Sequence, residues 1–152
     1  MKQQDTVDYY LKVVWQNMAN MYNQVASGFG ITQAIGYVLI NIEKEGTPVT
    51  QLAGMLGVKA TSLSRMLNNM EELNLIYRET SDGDKRSVKV YLTDFGRDKR
   101  QEARDVVVKF NEYLNENLSI NEKQGLIKTL QKLNKLTSAY PINSLYHEQE
   151  NK

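Results

Sequence analysis

Residues 48–97 decide the fold of this chain, and their sequence is PVTQLAGMLGVKATSLSRMLNNMEELNLIYRETSDGDKRSVKVYLTDFGR. A short apolar segment comes first and ends at Gly57, a residue suited to the left-handed position that closes a helix. A second helical segment follows over about residues 60–74, and two β-rich runs follow it at residues 75–79 and 88–92. The pattern predicts a helix-turn-helix followed by a β-hairpin, in a fold that is mainly α with a small β-wing.

The second helical segment has two different faces. Apolar side chains recur at helical spacing on one face and are predicted to be buried: Leu63, Met66, Leu67, Met70 and Leu73. The opposite face carries short polar or cationic side chains: Thr61, Ser62, Ser64, Arg65, Asn68 and Asn69. A helix of this kind can enter the major groove of DNA while a basic hairpin tip reaches the minor groove. The stretch therefore predicts a winged helix-turn-helix that binds double-stranded DNA.

Two amphipathic helices are predicted before this stretch. Apolar side chains between Val7 and Val25 recur at alternating steps of three and four residues, which indicates a long helix with a heptad-like face. Thr32 is the predicted N-cap of a second helix that ends near Glu45. Within the central stretch, Thr50 is the predicted N-cap of the short helix that precedes Gly57.

Two further helices are predicted after it. The longest begins at Thr93 and ends near Asn117, and Ser119 with Glu122 has the spacing of a capping box that starts the last helix. The apolar faces of the first and last helices cannot both be covered within one small chain, which favours a homodimer, although packing within a monomer is the alternative. We expect a helical dimerisation region at residues 1–30 and 97–145, a DNA-binding lobe at residues 31–96 and a disordered tail at residues 146–152.

Composition excludes several classes of protein. The 152 residues are 41% hydrophobic and 24% charged, as in soluble globular domains, and include no cysteine. No apolar run approaches the ~18 residues of a membrane span, so we expect a cytoplasmic protein without a membrane partner. The net charge is only +1, but residues 85–104 hold seven basic and three acidic residues. This local excess fits either contact with DNA or a solvated helix face.

The sequence shows no catalytic or metal-binding constellation. His147 is the single histidine and lies in the predicted tail, so it makes no convincing metal site. Glu43 with Glu45 and Glu71 with Glu72 are expected to be surface charges, because nothing apolar surrounds them. We therefore predict neither enzymatic activity nor a cofactor.

The central stretch resembles the MarR family of bacterial transcriptional regulators. The resemblance rests on LNLIYR at residues 73–78, on the wing tip DKR at residues 84–86 and on LTDFG at residues 92–96, and it extends upstream through residues 51–58. It implies a triangular homodimer in which the first helix and the last two helices form the interface and two winged-helix lobes lie below.

The resemblance also implies a set of DNA contacts. Ser64 and Arg65 match a polar-plus-arginine pair in the recognition helix, and Arg86 matches the wing arginine that enters the minor groove, braced by Asp84. Arginine is well suited to the O6 and N7 atoms of guanine and to a narrow minor groove. The predicted DNA-binding residues are Lys59, Thr61, Ser62, Ser64, Arg65, Asn68, Asp84, Lys85 and Arg86. A solvated helix face is the alternative for Thr61, Ser62 and Asn68.

Two positions depart from the family pattern. Lys59 stands where such helices usually have a capping serine or threonine, and a cation there is unfavourable unless a phosphate lies nearby. Lys59 is therefore expected either to contact a backbone phosphate or to extend into water. Gly36 lies inside a predicted helix, at a cost of about 1 kcal/mol relative to alanine. It is expected to make space for an effector or for close helix contact.

Aromatic and methionine side chains could form a hollow between the dimer helices and the DNA-binding lobe. The predicted ligand-binding residues are Trp15, Met18, Tyr22, Tyr37 and Phe110. Apolar walls with a few phenol hydroxyls suit a small aromatic or lipophilic effector, and an ordinary core is the alternative. The sequence thus predicts a homodimeric repressor that binds a pseudo-palindromic site and is released by such a ligand. The alternative function is a winged-helix protein-interaction module without sequence-specific DNA binding.

Overall fold

A computed structural model of the protein describes residues 6–80 and 88–141. The described residues form six helices and three strands: α1 (Val7–Gly28), α2 (Gln33–Asn41), β1 (Thr47–Pro48), α3 (Val49–Leu56), α4 (Ala60–Glu72), β2 (Ile76–Thr80), β3 (Val88–Leu92), α5 (Asp94–Asn117) and α6 (Ile120–Ser138). The strands form one antiparallel sheet in the order β1-β3-β2. The predicted fold class, mainly α with a small β-wing, is confirmed. The chain divides into two compact units, residues 1–108 and residues 109–152.

Several helix ends are set by local side-chain hydrogen bonds that the sequence predicts. The Oγ1 atom of Thr32 accepts a hydrogen bond from the Ile35 amide at 3.2 Å, which confirms Thr32 as the N-cap of α2. Ser119 and Glu122 form the predicted capping box at the start of α6. Gly57 closes α3 with a φ of 61°, a left-handed conformation that costs glycine little.

The segment between α2 and α3 differs from the prediction because it pairs with a distant strand. Thr47 lies opposite Val90 in the sheet, and Pro48 lies opposite Lys89. This pairing holds residues 47–48 extended, so α2 ends at Asn41 rather than near Glu45. It also lets α3 begin at Val49 directly after Pro48. The prediction that Thr50 caps α3 is therefore wrong, since Thr50 lies inside the helix.

The buried side chain of Thr47 stabilises the segment between α2 and α3. Its side chain is fully buried, and its Oγ1 atom accepts a hydrogen bond from the Glu43 amide at 2.9 Å. The same hydroxyl donates to the carbonyl of Asn41 at 3.4 Å. A buried hydroxyl needs such partners to offset its lost hydration, and here they close the turn after α2.

Helix α4 ends two residues earlier than predicted. Asn74 has a φ of 54°, and the amides of Asn74 and Leu75 donate to the carbonyls of Glu71 and Met70. This left-handed turn closes the helix at Glu72 and directs the chain into β2. Leu73 is 42% exposed as a result, so the prediction that it is buried is wrong.

The start of α5 is fixed against that same turn. Thr93 Oγ1 accepts from the Gly96 amide at 2.9 Å and donates to the carbonyl of Asn74 at 2.6 Å. At Gly96 an added Cβ atom would lie 1.8 Å from the carbonyl oxygen of Leu75, so only glycine fits there. The end of α4 and the beginning of α5 are thereby held together.

The core of the first unit lies under the sheet and α4. Its fully buried apolar side chains come from α2, α3, α4 and β3 and from two residues that adjoin α2 and β2, Ile42 and Leu75: Val38, Leu39, Ile42, Leu52, Leu63, Leu67, Met70, Leu75 and Val90. These side chains include three of the five predicted on the apolar face of α4, and Met66 of that face packs partly buried against them. The core therefore fixes which face of α4 remains outside.

Helices α1 and α6 have no buried residue. Each presents large apolar side chains to solvent, among them Val7, Tyr10, Val14 and Trp15 on α1 and Ile120, Leu126, Ile127 and Leu136 on α6. Within residues 6–80 and 88–141, no helix combines the length and apolarity required to cross a membrane.

Candidate nucleic-acid interface and apolar cavity

The outer face of α4 is the candidate nucleic-acid interface. Leu63, Leu67 and Met70 are buried on its inner face, so helical periodicity turns the polar set outward. All of that set is exposed: Thr61, Ser62, Ser64, Arg65, Asn68 and Asn69. Short hydroxyl side chains at the start of a helix allow close approach of its backbone to DNA, and Arg65 can extend beyond them.

Lys59 occupies the N-cap position of α4. Its backbone is extended, with φ −65° and ψ 147°, its side chain is exposed, and no side chain caps the helix at this position. The free amides and positive end of the helix dipole attract anions, and a lysine beside them adds a full charge. This geometry is suited to a phosphate group, although the phosphate contact of Lys59 stays a prediction.

An ion pair between β2 and α4 borders this face. Arg78 donates from Nε to Oε1 of Glu71 at 3.0 Å and from Nη2 to Oε2 at 2.5 Å. Nη2 also donates to Oδ1 of Asn68 at 2.7 Å. Hydrogen bonding from Arg78 holds the pKa of Glu71 below its ordinary value, and hydrogen bonding to Glu71 raises the pKa of Arg78. Glu71 is thus not the isolated surface charge that the sequence suggested.

The wing is described up to the ends of its two strands. Thr80 pairs with Val88, and Ile76 pairs with Leu92 at the opposite end of the ladder. The predicted contacts at Asp84, Lys85 and Arg86 lie outside the described residues, so the minor-groove contact of Arg86 stays a prediction.

The basic residues at the start of α5 are largely engaged within the molecule. Arg97 pairs with Asp94 and donates to the carbonyl of Leu92, and Arg100 donates to the carbonyl of Ile42 at 3.0 Å. Lys99 pairs with Glu102 at 2.8 Å and lies over the rings of Phe29 and Phe95. These contacts favour a structural role for this part of the charge excess over direct contact with DNA.

An apolar cavity of about 260 Å³ lies in the first unit. Helices α1, α2 and α5 provide most of its wall, and its lining residues are Trp15, Met18, Tyr22, Ala26, Phe29, Ile31, Gln33, Gly36, Tyr37, Ile40, Ala103, Val106 and Val107. Burial raises the pKa of the Tyr22 phenol, which keeps its hydroxyl in the neutral form. A hollow with these walls can hold a small neutral ligand.

Four of the five predicted ligand-binding residues line this cavity, namely Trp15, Met18, Tyr22 and Tyr37. Phe110 is not among the lining residues, because the wall from α5 is formed one and two turns earlier, by Ala103, Val106 and Val107. Gly36 lines the cavity and also faces α5, where an added Cβ would lie 3.5 Å from Cβ of Ala103. Because 3.5 Å is an ordinary contact distance, this spacing does not by itself require a glycine, and the space for an effector stays a prediction.

Comparisons with known proteins match the central part of the chain to one family and the chain more widely to transcriptional regulators. A model of the MarR family matches residues 29–87. The uncharacterised HTH-type transcriptional regulator YhbI of Bacillus subtilis is 27% identical over 126 residues, which is 82% of each chain. The HTH-type transcriptional repressor MdtR of the same organism is 34% identical over 68 residues, or 44% of each chain.

Solved structures show the same architecture. A mutant of MarR from E. coli in complex with operator DNA superposes with a TM-score of 0.75 and 26% identity, covering 84% of this chain and 92% of that one. MepR of S. aureus in its DNA complex gives a TM-score of 0.79 at 23% identity, covering 86% of this chain and 97% of that one. The MarR-family match thus covers residues 29–87, within a fold that the chain shares with the solved MarR and MepR structures.

Sequence reasoning missed one part of this candidate interface. Arg78 belongs to the LNLIYR segment that carried the resemblance, yet its partners Glu71 and Asn68 lie seven and ten residues earlier on another element. The available signal was an arginine on the first wing strand together with a carboxylate near the end of the preceding helix. The ion pair between Arg78 and Glu71 is evident only in the folded chain, where the turn at Asn74 brings β2 back along α4.

Proposed function

We propose that the protein is a homodimeric, sequence-specific DNA-binding regulator that acts as a repressor in the cytoplasm on a pseudo-palindromic site. The observation that carries this proposal is the outer face of α4, where Ser64, Arg65 and Asn68 are exposed beside short hydroxyls at the helix start. Nothing in the core requires polar side chains of these types at those positions. Recognition of base edges in the major groove does require exposed polar side chains of these types.

The relatives support the same proposal. MarR of E. coli has been solved with operator DNA, and MdtR is described as a transcriptional repressor. By analogy, α4 of this chain would enter the major groove and the wing would lie over the neighbouring minor groove. The assignments of Lys59, Thr61, Ser62, Ser64, Arg65 and Asn68 to DNA contacts are part of this proposal.

The apolar faces of α1 and α6 support the proposed homodimer. Side chains such as Tyr10, Val14, Leu126 and Leu136 are exposed on these helices, and a second copy of the chain would cover them. Two recognition helices related by a two-fold axis would meet major grooves one helical turn apart, about 34 Å. The matching DNA site is an inverted repeat.

Footprinting on the DNA upstream of the gene, together with random-site selection, tests the DNA-binding proposal. The expected result at physiological salt is a protected inverted repeat with half-sites about one turn apart. A protein-interaction module would instead bind DNA weakly and without sequence preference. Failure to find a protected repeat by either method would reject the regulator in favour of that alternative.

The repressor is further proposed to release DNA when a small aromatic or lipophilic ligand occupies the apolar cavity. The cavity joins α1, α2 and α5, so a ligand there can bias the arrangement of the helices that support the recognition helix. A ligand shifts an equilibrium only by its differential affinity for the two states. It must therefore bind the state that cannot engage DNA more tightly, with a coupling of roughly 1–3 kcal/mol.

Fluorescence of Trp15 offers a direct test, since Trp15 is the only tryptophan and lines the cavity. An inducing compound should change this fluorescence and release DNA over the same concentration range. The variant Tyr37→Ala should shift both curves together, whereas Tyr113→Ala, which changes an exposed residue outside the cavity, should shift neither. DNA release without a change at Trp15, and equally from the Tyr37 variant, would place the effector site elsewhere.

A further inference from the structure

Arg78 ties the first wing strand to two positions of the recognition helix. Its guanidinium binds both carboxylate oxygens of Glu71 and also donates to Oδ1 of Asn68 at 2.7 Å. The side chains of Arg78 and Glu71 are 29% and 32% exposed, so the pair is largely shielded from water. Because Glu71 engages Nε and Nη2 together, the plane of the guanidinium is fixed relative to α4.

The chemistry of the guanidinium decides which end of the Asn68 amide faces it. Arginine carries only hydrogen-bond donors, so Asn68 must present its oxygen to Arg78, and its Nδ2 amino group lies at the other end of the amide. A hydrogen bond from a charged donor is stronger than one from a neutral group, which holds the amide in this orientation. Asn68 follows Ser64 by four residues, so the two share the exposed face of α4.

We propose that Arg78, held in place by Glu71, positions Asn68 so that it acts as a hydrogen-bond donor toward the DNA base that it meets. The inference rests on the proposed DNA binding. Asparagine selects adenine when both ends of its amide face the base, with the oxygen accepting from N6 and the amino group donating to N7. Here one end faces Arg78. The acceptors that match the remaining donors are O6 and N7 of guanine, O4 of thymine and N7 of adenine, the last without the N6 contact that makes adenine recognition bidentate.

The simpler role of the Arg78–Glu71 pair is to stabilise the packing of the wing on α4. That role predicts a different outcome when the pair is altered. A looser wing weakens binding to all DNA sequences alike, whereas a misoriented Asn68 amide changes preference at one base pair. Base preference at the position contacted by Asn68 is therefore the measurement that separates the two roles.

Random-site selection with the full-length protein and with Asn68→Ala identifies that position as the one where preference is lost. One preferred base pair is expected there for the wild type, and Asn68→Ala should lower affinity for the selected site about 3- to 10-fold. A selected site that Asn68→Ala leaves unchanged overturns the inference. A wild-type protein that selects no consensus overturns the proposed DNA binding as well.

Two further variants test the positioning itself. Asn68→Asp keeps an oxygen toward Arg78 but turns the outer end into an acceptor, so preference should move to cytosine or adenine, whose amino groups donate. Arg78→Lys keeps the charge but loses the planar guanidinium that binds Glu71 and Asn68 together. The base preference at the position contacted by Asn68 should therefore weaken. In an Asn68→Ala background, Arg78→Lys should leave that position unchanged.

Asn69→Ala, which removes the neighbouring exposed amide on α4, is the matched control and should leave preference at this position intact. Thermal melting shows whether each variant is folded. An Arg78→Lys protein that weakens every sequence equally assigns the pair a structural role alone and overturns the inference. If Arg78→Lys does not fold, Asn68→Asp decides, because an unchanged base preference in that variant overturns the inference too.

Discussion

At the scale of single residues, variants of Arg65 and Lys59 test the proposed difference between base recognition and positioning on the DNA backbone. Both are exposed, but Arg65 lies on the outer face of α4 and Lys59 lies at its N-terminus. Arg65→Ala should cost roughly 1–3 kcal/mol on the preferred site and relax preference at the base that it contacts. Lys59→Ala should weaken all sequences alike and reduce the salt dependence of binding by about one unit of slope.

Competition binding over a range of salt concentrations measures both effects. Lys128→Ala removes an exposed lysine from α6 and is the control for loss of charge alone, so it should change neither affinity nor slope. If sequence preference survives in Arg65→Ala, α4 is not the recognition helix.

Glu71 gives a residue-scale prediction about stability and pH. Its pKa is held below the ordinary value of 4.5 by hydrogen bonding from Arg78. The pair therefore contributes stability above pH 4.5, and this contribution is lost as the pH falls through the lower pKa of the folded state. The free energy of unfolding should fall more steeply on acidification in the wild type than in Glu71→Gln.

Urea unfolding at about pH 7 and about pH 3 measures this difference. Glu72→Gln removes the adjacent exposed carboxylate and should follow the wild type. Equal pH dependence in Glu71→Gln and the wild type would show that the Arg78 contact adds nothing to stability in solution.

At the scale of secondary-structure elements, Gly36 couples the stability of α2 to the volume of the cavity. An added Cβ would lie 3.5 Å from Ala103 Cβ and 3.8 Å from Ile31 Cδ1, which are ordinary contact distances. Gly36→Ala should therefore fit without strain and stabilise the helix by up to about 1 kcal/mol. Because the same methyl group enters the cavity wall, it should also alter the affinity for any ligand bound there.

Gly54→Ala is the matched control, since Gly54 lies inside α3 with nothing within 4 Å of an added Cβ. It should stabilise its own helix without changing the response to ligand. Urea unfolding measures the first effect, and Trp15 fluorescence measures the second. A clear loss of stability in Gly36→Ala would instead mean that α2 and α5 require closer approach than alanine permits.

At the scale of the whole molecule, the apolar face of α6 is predicted to lie in a dimer interface. Leu126 is 53% exposed on a helix with no buried residue. A charge at this position should cost little in a monomer but should block association, because a buried unpaired carboxylate is strongly unfavourable. Leu126→Glu should therefore be folded, monomeric and weak in DNA binding, since one chain engages only one half-site.

Sedimentation equilibrium should give twice the chain mass of 17.5 kDa for the wild type and the single mass for Leu126→Glu. Lys128→Glu places the same charge on a polar position of the same helix and should remain dimeric. A wild type that is monomeric at micromolar concentration would contradict the dimer, and the exposed faces of α1 and α6 would then need another partner.

The sequence by itself determined the features that arise from short-range interactions. The two faces of α4 follow from helical periodicity over 13 residues, and the Thr32 cap and the Ser119–Glu122 box each join residues three positions apart. The left-handed Gly57 and the two long wing strands also follow from residue type and local pattern. For these features, the residues that form the contact are neighbours in the chain, so the pattern contains the whole interaction.

Tertiary structure decided what depends on residues that are far apart in the chain. Residues 47–48 form a strand only because β3 offers a partner more than forty positions later, and that pairing moves the start of α3 to Val49. The Asn68 amide is oriented by an arginine that reaches it from another element. The cavity exists where Gly36 of α2 meets Ala103 of α5. Pairing, ion-pair geometry and packing volume are properties of surfaces brought together by folding, and no local pattern specifies which surfaces will meet.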